Sequence, residues 1–212
     1  MKGLILKDLF IIKETLSTTI AIIVILLVYC IIRGYGIGLI VIPPLIFSAT
    51  TTSSLKLDWA AKWDKEVLTM PITRKMIIQS KYIELLSLCV LGAFSGIMLD
   101  IIYNFVVNER NTFLIFNIAM YTLALGIISG SIHIYLAYKI GGNNLENSEI
   151  LLFIAFGIGT CAMAAFLWII KKFVILDFNL FSVTTIILVI TSVIISIIMC
   201  ELTTVVYSKR EI

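Results

Sequence analysis

Charge is what this chain most lacks. Asp, Glu, Lys and Arg make up 14% of its 212 residues, against roughly 25% in an average soluble domain. Apolar residues reach 60%, and the mean hydropathy is +1.10. So few polar side chains cannot cover a soluble fold of this size, so lipid is the solvent for most of the chain. Histidine occurs once, at His133, which excludes an HExxH zinc helix, and no GxxxxGK[ST] loop is present to cradle ATP phosphates. Cys30, Cys89, Cys161 and Cys200 lie in apolar runs with no CxxC pair and no neighbouring histidine. They read as small packing residues rather than metal ligands or a disulfide framework. A net charge of +3 is too small to suggest a nucleic-acid partner.

What is there is a series of long apolar runs. About 20 apolar residues cross the hydrocarbon core as a helix, and six segments qualify: 15–32, 35–55, 83–106, 113–138, 150–170 and 178–200. The expected fold is therefore all-α, a polytopic membrane bundle of six transmembrane helices forming one domain over 1–212, with no soluble domain. The first run has charge before it but no small-x-small cleavage site after it, so it is expected to be a retained helix.

Sidedness follows from lysine and arginine. With the N-terminus inside, Lys2, Lys7, Lys13, Lys56, Lys62, Lys65, Arg74, Lys75, Lys81, Lys139, Lys209 and Arg210 fall on the inner side, and Arg33, Arg110, Lys171 and Lys172 on the outer. The positive-inside rule then places both termini in the cytoplasm.

Two inner segments are long enough to matter. Residues 1–14 read as an interfacial helix, with Ile5, Leu9, Ile12 and Leu16 on one face and Lys7, Asp8 and Glu14 away from it. Residues 56–82 form a cytoplasmic loop. Within 55–70, Leu55, Trp59, Trp63 and Val67 recur every fourth residue, predicting a helix whose Trp59 and Trp63 anchor at the headgroup level. Pro71, after Met70, ends that helix, and Thr73 can cap the next one, running on through Lys81. Two antiparallel helices need only a few connecting residues, so this helix, corner and helix exceed a plain connector.

Inside the spans, Gly34 and Gly38, Gly92 and Gly96, and Gly126 and Gly130 recur at helix-packing spacing. Pro43 and Pro44 are expected to kink or break the second span, freeing carbonyls for Ser48, Thr50, Thr51 or Thr52. Lys81 and Glu84 are spaced to form an interfacial pair. Asp100, one turn from Asn104, and His133 are the polar candidates for a substrate or proton path, although their shallow positions also fit simple snorkelling. The segment from Gly126 to Gly130 lacks the GxSG spacing of an intramembrane serine protease, and its serine shares a helix with His133. No catalytic constellation emerges.

The run Asp58-Trp59-Ala60-Ala61-Lys62-Trp63-Asp64-Lys65-Glu66-Val67-Leu68-Thr69-Met70-Pro71-Ile72-Thr73-Arg74-Lys75, followed by Ser80-Lys81-Tyr82-Ile83, resembles the first cytoplasmic loop of ABC-2 type permeases. It is most similar to small six-span subunits of bacterial peptide-toxin (phenol-soluble-modulin type) and antibiotic exporters. That pattern has an acidic, tryptophan-containing helix, then leucine-proline-hydroxyl-basic-lysine, then serine-lysine-tyrosine entering the third span. Met70 stands where leucine is usual.

The resemblance implies a division of labour. A separate ABC ATPase subunit would carry ATP and magnesium, and this chain would hold no cofactor or metal. Met70, Pro71, Ile72, Thr73, Arg74 and Lys75 would dock on that ATPase, with Gly141, Gly142 and Asn143 as a second contact. A second permease copy or a paralogue would complete the path for an amphipathic peptide or hydrophobic substrate, in a bacterial cytoplasmic membrane. The rival reading is a non-transporting scaffold or sensor subunit, which would share the topology without needing the corner at Pro71.

Overall fold

The computed structural model describes residues 2–33, 36–67, 69, 71–107, 112–140 and 178–209. Among them the secondary structure is entirely helical: α1 (Lys2–Arg33), α2 (Gly36–Ala60), α3 (Trp63–Val67), α4 (Arg74–Val107), α5 (Thr112–Ile140) and α6 (Phe178–Ser208). Four helical stretches are long and apolar enough to cross a bilayer: Gly38–Ala60, Arg74–Val106, Ile115–Ile140 and Ser182–Ser208. Ser17–Ile32 is a shorter apolar stretch within α1. The fifth expected span, 150–170, lies outside the described residues, as do Met70, Gly141, Gly142 and Asn143.

Outward side chains are apolar, as a lipid-facing surface requires. Phe94, Ile101 and Phe105 on α4 and Ile187, Ile190, Ile194 and Ile197 on α6 are all exposed. The start of α1, the end of α2, the start of α4 and the ends of α5 and α6 meet at one end of the bundle, the end rich in lysine.

The prolines do not break the second span: α2 stays helical across Pro43 and Pro44. Proline has no N–H to give, so the i→i−4 ladder leaves the carbonyls of Leu39 and Ile40 without their usual donors. Those two oxygens face Gly96 of α4: a methyl placed there would lie 3.0 Å from the Ile40 oxygen and 3.3 Å from the Leu39 oxygen. One turn earlier, a methyl on Gly92 would sit 2.6 Å from the Pro44 Cα. The glycine pair thus lets α4 lie against the proline-altered stretch, where weak Cα–H···O contacts become accessible. Ser48 and Thr50 were expected to serve the freed carbonyls. Instead they donate within their own turns, to Leu45 and Phe47 at 2.9 and 2.7 Å, because a hydroxyl reaches the carbonyl three residues back more readily than one further away. Gly126 and Gly130 seat α5 against Cys89 and Leu85 of α4.

A departure from expectation comes at residues 61–62. The stripe Leu55, Trp59, Trp63, Val67 faces one core cluster, but not on one continuous helix. α2 ends at Ala60, and Lys62 takes a left-handed backbone, φ 53°, before α3 begins. The amides of Ala61 and Lys62 close the turn on Leu57 and Trp59. A left-handed residue at a helix C-terminus is a standard stop, normally glycine; here the chain accepts it at an exposed lysine.

Likewise, α1 is helical without interruption from Lys2 to Arg33, so the segment expected to lie in the interface continues directly into the first apolar stretch. No proline separates the two parts. Asp8, assigned to the watery face, is buried at 2% exposure, whereas Leu6 and Phe10 are exposed. The cause is an ion-pair network that draws this face of α1 inward.

Candidate functional site

The corner between α3 and α4 sits at the lysine-rich end. Val67, the last residue of α3, is fully buried in the main core cluster, and Ile72 packs against that cluster. Pro71 and Thr73, on either side of Ile72, are exposed. Thr73 starts α4 as the sequence predicts: its Oγ1 accepts from the Met76 amide at 3.3 Å, and its carbonyl accepts from the same amide at 2.9 Å. The basic residues that follow are engaged by α6. Arg74 donates to the carbonyls of Tyr207 and Ser208 at 3.3 and 2.8 Å, which suits a cation at a helix C-terminus. Lys75 pairs with Glu201 at 2.8 Å, both side chains about half exposed.

Behind the corner lies a buried knot of charge. Lys81 Nζ is 2.7 Å from Asp8 of α1, 2.8 Å from Asp58 of α2 and 3.4 Å from Glu84 on its own helix. It also donates to Ser54 Oγ at 3.0 Å, and Ser54 in turn donates to Glu84 at 3.2 Å. The three protons of an ammonium are thus matched by Asp8, Asp58 and Ser54, and the serine relays a hydrogen bond to the more distant carboxylate. Lys7 adds a second cation, bonded to Asp58 and 3.6 Å from Asp8, and stands 4.3 Å above the Trp63 ring of α3. Two cations therefore serve three carboxylates, and Glu84 Oε1 is buried without a hydrogen-bond partner. Desolvating so many charges is tolerable only when they satisfy one another, so removing one member affects all the helices it ties.

Aromatic residues complete this end. Trp59 meets Tyr138 of α5 edge-on at 5.9 Å, and Tyr138 meets Tyr207 of α6 at 5.3 Å. Tyr82 donates to the Ser131 carbonyl at 3.2 Å and shares a hydrogen bond with Thr203 at 2.9 Å, joining α4, α5 and α6. Trp59 and Trp63 are thus engaged with Tyr138 and Lys7 of this bundle. Asp100 and His133 are not brought together. Asp100 is buried near the far end of α4 and accepts from Asn104 at 2.5 Å; His133 is buried near the lysine-rich end of α5.

Sequence reasoning missed Asp8, Ser54 and Asp58 as partners of Lys81, and Lys7 as the second cation on Asp8 and Asp58. It paired Lys81 with Glu84, the most distant of its four oxygen partners. The available signal was three carboxylates set at similar depth around one lysine that begins a membrane span.

A bundle of apolar, membrane-capable helices with an exposed corner at one end is the form of a multi-pass membrane protein. Residues 3–207 match the family model described as ABC-2 family transporter protein, and the chain belongs to that family: it is a membrane permease component of an ABC transporter. No curated protein and no solved structure matches it.

Proposed function

We propose that the chain is the membrane-spanning subunit of an ATP-driven exporter in a bacterial cytoplasmic membrane, with ATP and magnesium held by a separate ABC ATPase subunit. The corner at Met70, Pro71, Ile72 and Thr73 docks on that ATPase. Arg74 and Lys75 form its shoulder, and Gly141, Gly142 and Asn143 supply a smaller second contact. Two permease chains, copies or paralogues, flank the substrate path. Outward movement of amphipathic peptides, or of hydrophobic antibiotics or lipids, suits spans this apolar. It also suits connections as short as Arg33 to Gly36 and Val107 to Thr112, which leave no room for a domain that captures substrate outside.

The observation that carries the reading is the corner itself. Pro71 and Thr73 are exposed while both flanks are fixed, Val67 by complete burial and Arg74 by the last carbonyls of α6. A rigidly mounted exposed corner can transmit a push; a loose loop cannot. Pro71→Asp places a charge at an exposed position that bears no hydrogen-bond donor. The expected result is loss of co-purification with the co-expressed ABC ATPase, at an unchanged melting temperature. ATPase retained at the parental level by the folded variant would refute the coupling assignment, and a scaffold role would then be the better account.

A further inference from the structure

α4 and α6 both pack on α5 and meet at the lysine-rich end through Arg74, Lys75 and Tyr82. They leave a cleft of about 340 Å³ lined by Gln79, Tyr82, Leu86, Ser196, Cys200 and Glu201, with Ile83 and Ile197 at its edges. Its volume lies within the range of small-molecule sites. Tyr82 forms the floor and is held there by its bonds to Ser131 and Thr203, so the two helices cannot simply close over the space. Ile83 and Ile197 are 42% and 60% exposed and belong to the lipid-facing surface. The cleft therefore opens sideways into the membrane, and its occupant is a membrane component.

Charge is confined to one end of the cleft. On α4 the wall runs from Gln79 through Tyr82 and Ile83 to Leu86, with Lys75 one turn before it; on antiparallel α6 it runs from Glu201 and Cys200 to Ile197 and Ser196. The distance from Gln79 to Leu86 is about 10 Å at the helical rise. This is the order of a phospholipid entering with its headgroup at the lysine-rich end and its acyl chain between the isoleucines. At the rim stand one ammonium and one carboxylate, Lys75 and Glu201, 2.8 Å apart. Exposed pairs of this kind contribute little by themselves, so both charges are available to a ligand of alternating charge.

We propose that this cleft binds one zwitterionic phospholipid with a primary-amine headgroup, of the phosphatidylethanolamine class. Lys75 takes the phosphate and Glu201 the ammonium. A quaternary choline headgroup offers no N–H donor, and a glycerol headgroup offers no cation for Glu201. The site depends on the membrane placement of α4 and α6 and not on the direction or substrate of transport.

The test is native mass spectrometry of the delipidated full chain, titrated with phosphatidylethanolamine, phosphatidylcholine or phosphatidylglycerol of identical acyl chains. It is paired with alkylation of Cys200 in nanodiscs of each lipid, read by peptide mapping so that the other thiols stay in place. One phosphatidylethanolamine is expected to be retained at least five-fold better than either alternative, with Cys200 alkylated several-fold more slowly in its presence. Glu201→Gln is expected to erase the preference. Ile197→Trp, which fills the cleft from its exposed edge, is expected to abolish retention at an unchanged melting temperature. Equal retention of the three lipids, tighter binding of phosphatidylglycerol, a preference that survives Glu201→Gln, or a Cys200 that no lipid protects would each overturn the assignment.

Discussion

Replacing Lys81 with methionine removes a buried cation that pairs with carboxylates of α1, α2 and α4 together. Methionine preserves most of the volume, so the loss is electrostatic. Asp8 and Asp58 lose partners at 2.7 and 2.8 Å, and Glu84 loses one at 3.4 Å. Among the described residues Lys7 alone remains to compensate, on Asp58 and, at 3.6 Å, Asp8. Asp8, Glu84 and Lys81 side chains are 3–4% exposed, so water cannot substitute without opening the bundle. Breaking a buried pair by removing one partner costs about 3–5 kcal/mol. At about 2–4 °C per kcal/mol for a chain of this size, Lys81→Met should lower the melting temperature by roughly 6–20 °C. Intrinsic fluorescence during thermal unfolding in detergent suits the measurement, because Trp63 lies against Lys7 and reports on this region. Two controls sharpen it. Lys75→Met, which removes an exposed pair, should leave the melting temperature unchanged. Lys81→Met combined with Asp8→Leu and Asp58→Leu should recover at least half the loss, since an apolar replacement strands fewer charges. A Lys81→Met protein that melts within about 2 °C of the parent, under about 1 kcal/mol, would mean that the network does not hold these helices.

The glycines should separate by what they touch. Gly92→Ala drives a methyl into the Pro44 backbone at 2.6 Å and should cost about 2–3 kcal/mol in the same unfolding assay, whereas Gly130→Ala meets the Leu85 side chain, at 2.4 Å from its nearest methyl, which can change rotamer where backbone cannot, and should cost less after the gain in helix propensity; equal costs would contradict the packing described. Lys62→Gly relieves a left-handed backbone at an exposed position and should stabilise by about 1 kcal/mol, and a destabilised variant would show that the Lys62 side chain matters more than its φ.

Much of the architecture was legible because membrane helices are written in runs of apolar residues, and lipid permits little else. The corner was legible for the same reason: Pro71 cannot continue a helix, and Thr73 is a good cap. The break at Lys62 was not, since lysine carries no left-handed signal and only tertiary packing of Trp63 and Val67 on the core imposes it. Nor was the inward turn of Asp8. Helical periodicity sorts residues into apolar and polar faces, and a polar face turned inward reads the same as one turned to water. What distinguishes them is the presence of Lys81 and Asp58 at the right depth on other helices, which is information about distance in space. The family resemblance fell on Asp58 and Ser80-Lys81-Tyr82 without a stated reason. In the structure Lys81 and Asp58 form the knot, and Tyr82 bridges three helices.

Those contacts divide the lysine-rich end unequally. Parting α4 from α1 or α2 would expose Lys81, Asp8 and Asp58 together and leave at least one buried charge unmatched. Parting α4 from α6 here breaks the Arg74 bonds to terminal carbonyls, the exposed Lys75–Glu201 pair and the Tyr82–Thr203 hydrogen bond. Each of these except the last can be exchanged for water or headgroups at low cost. The side of α4 toward α1 and α2 is therefore held by buried charge, and its side toward α6 by more exposed polar contacts beside a shared apolar core.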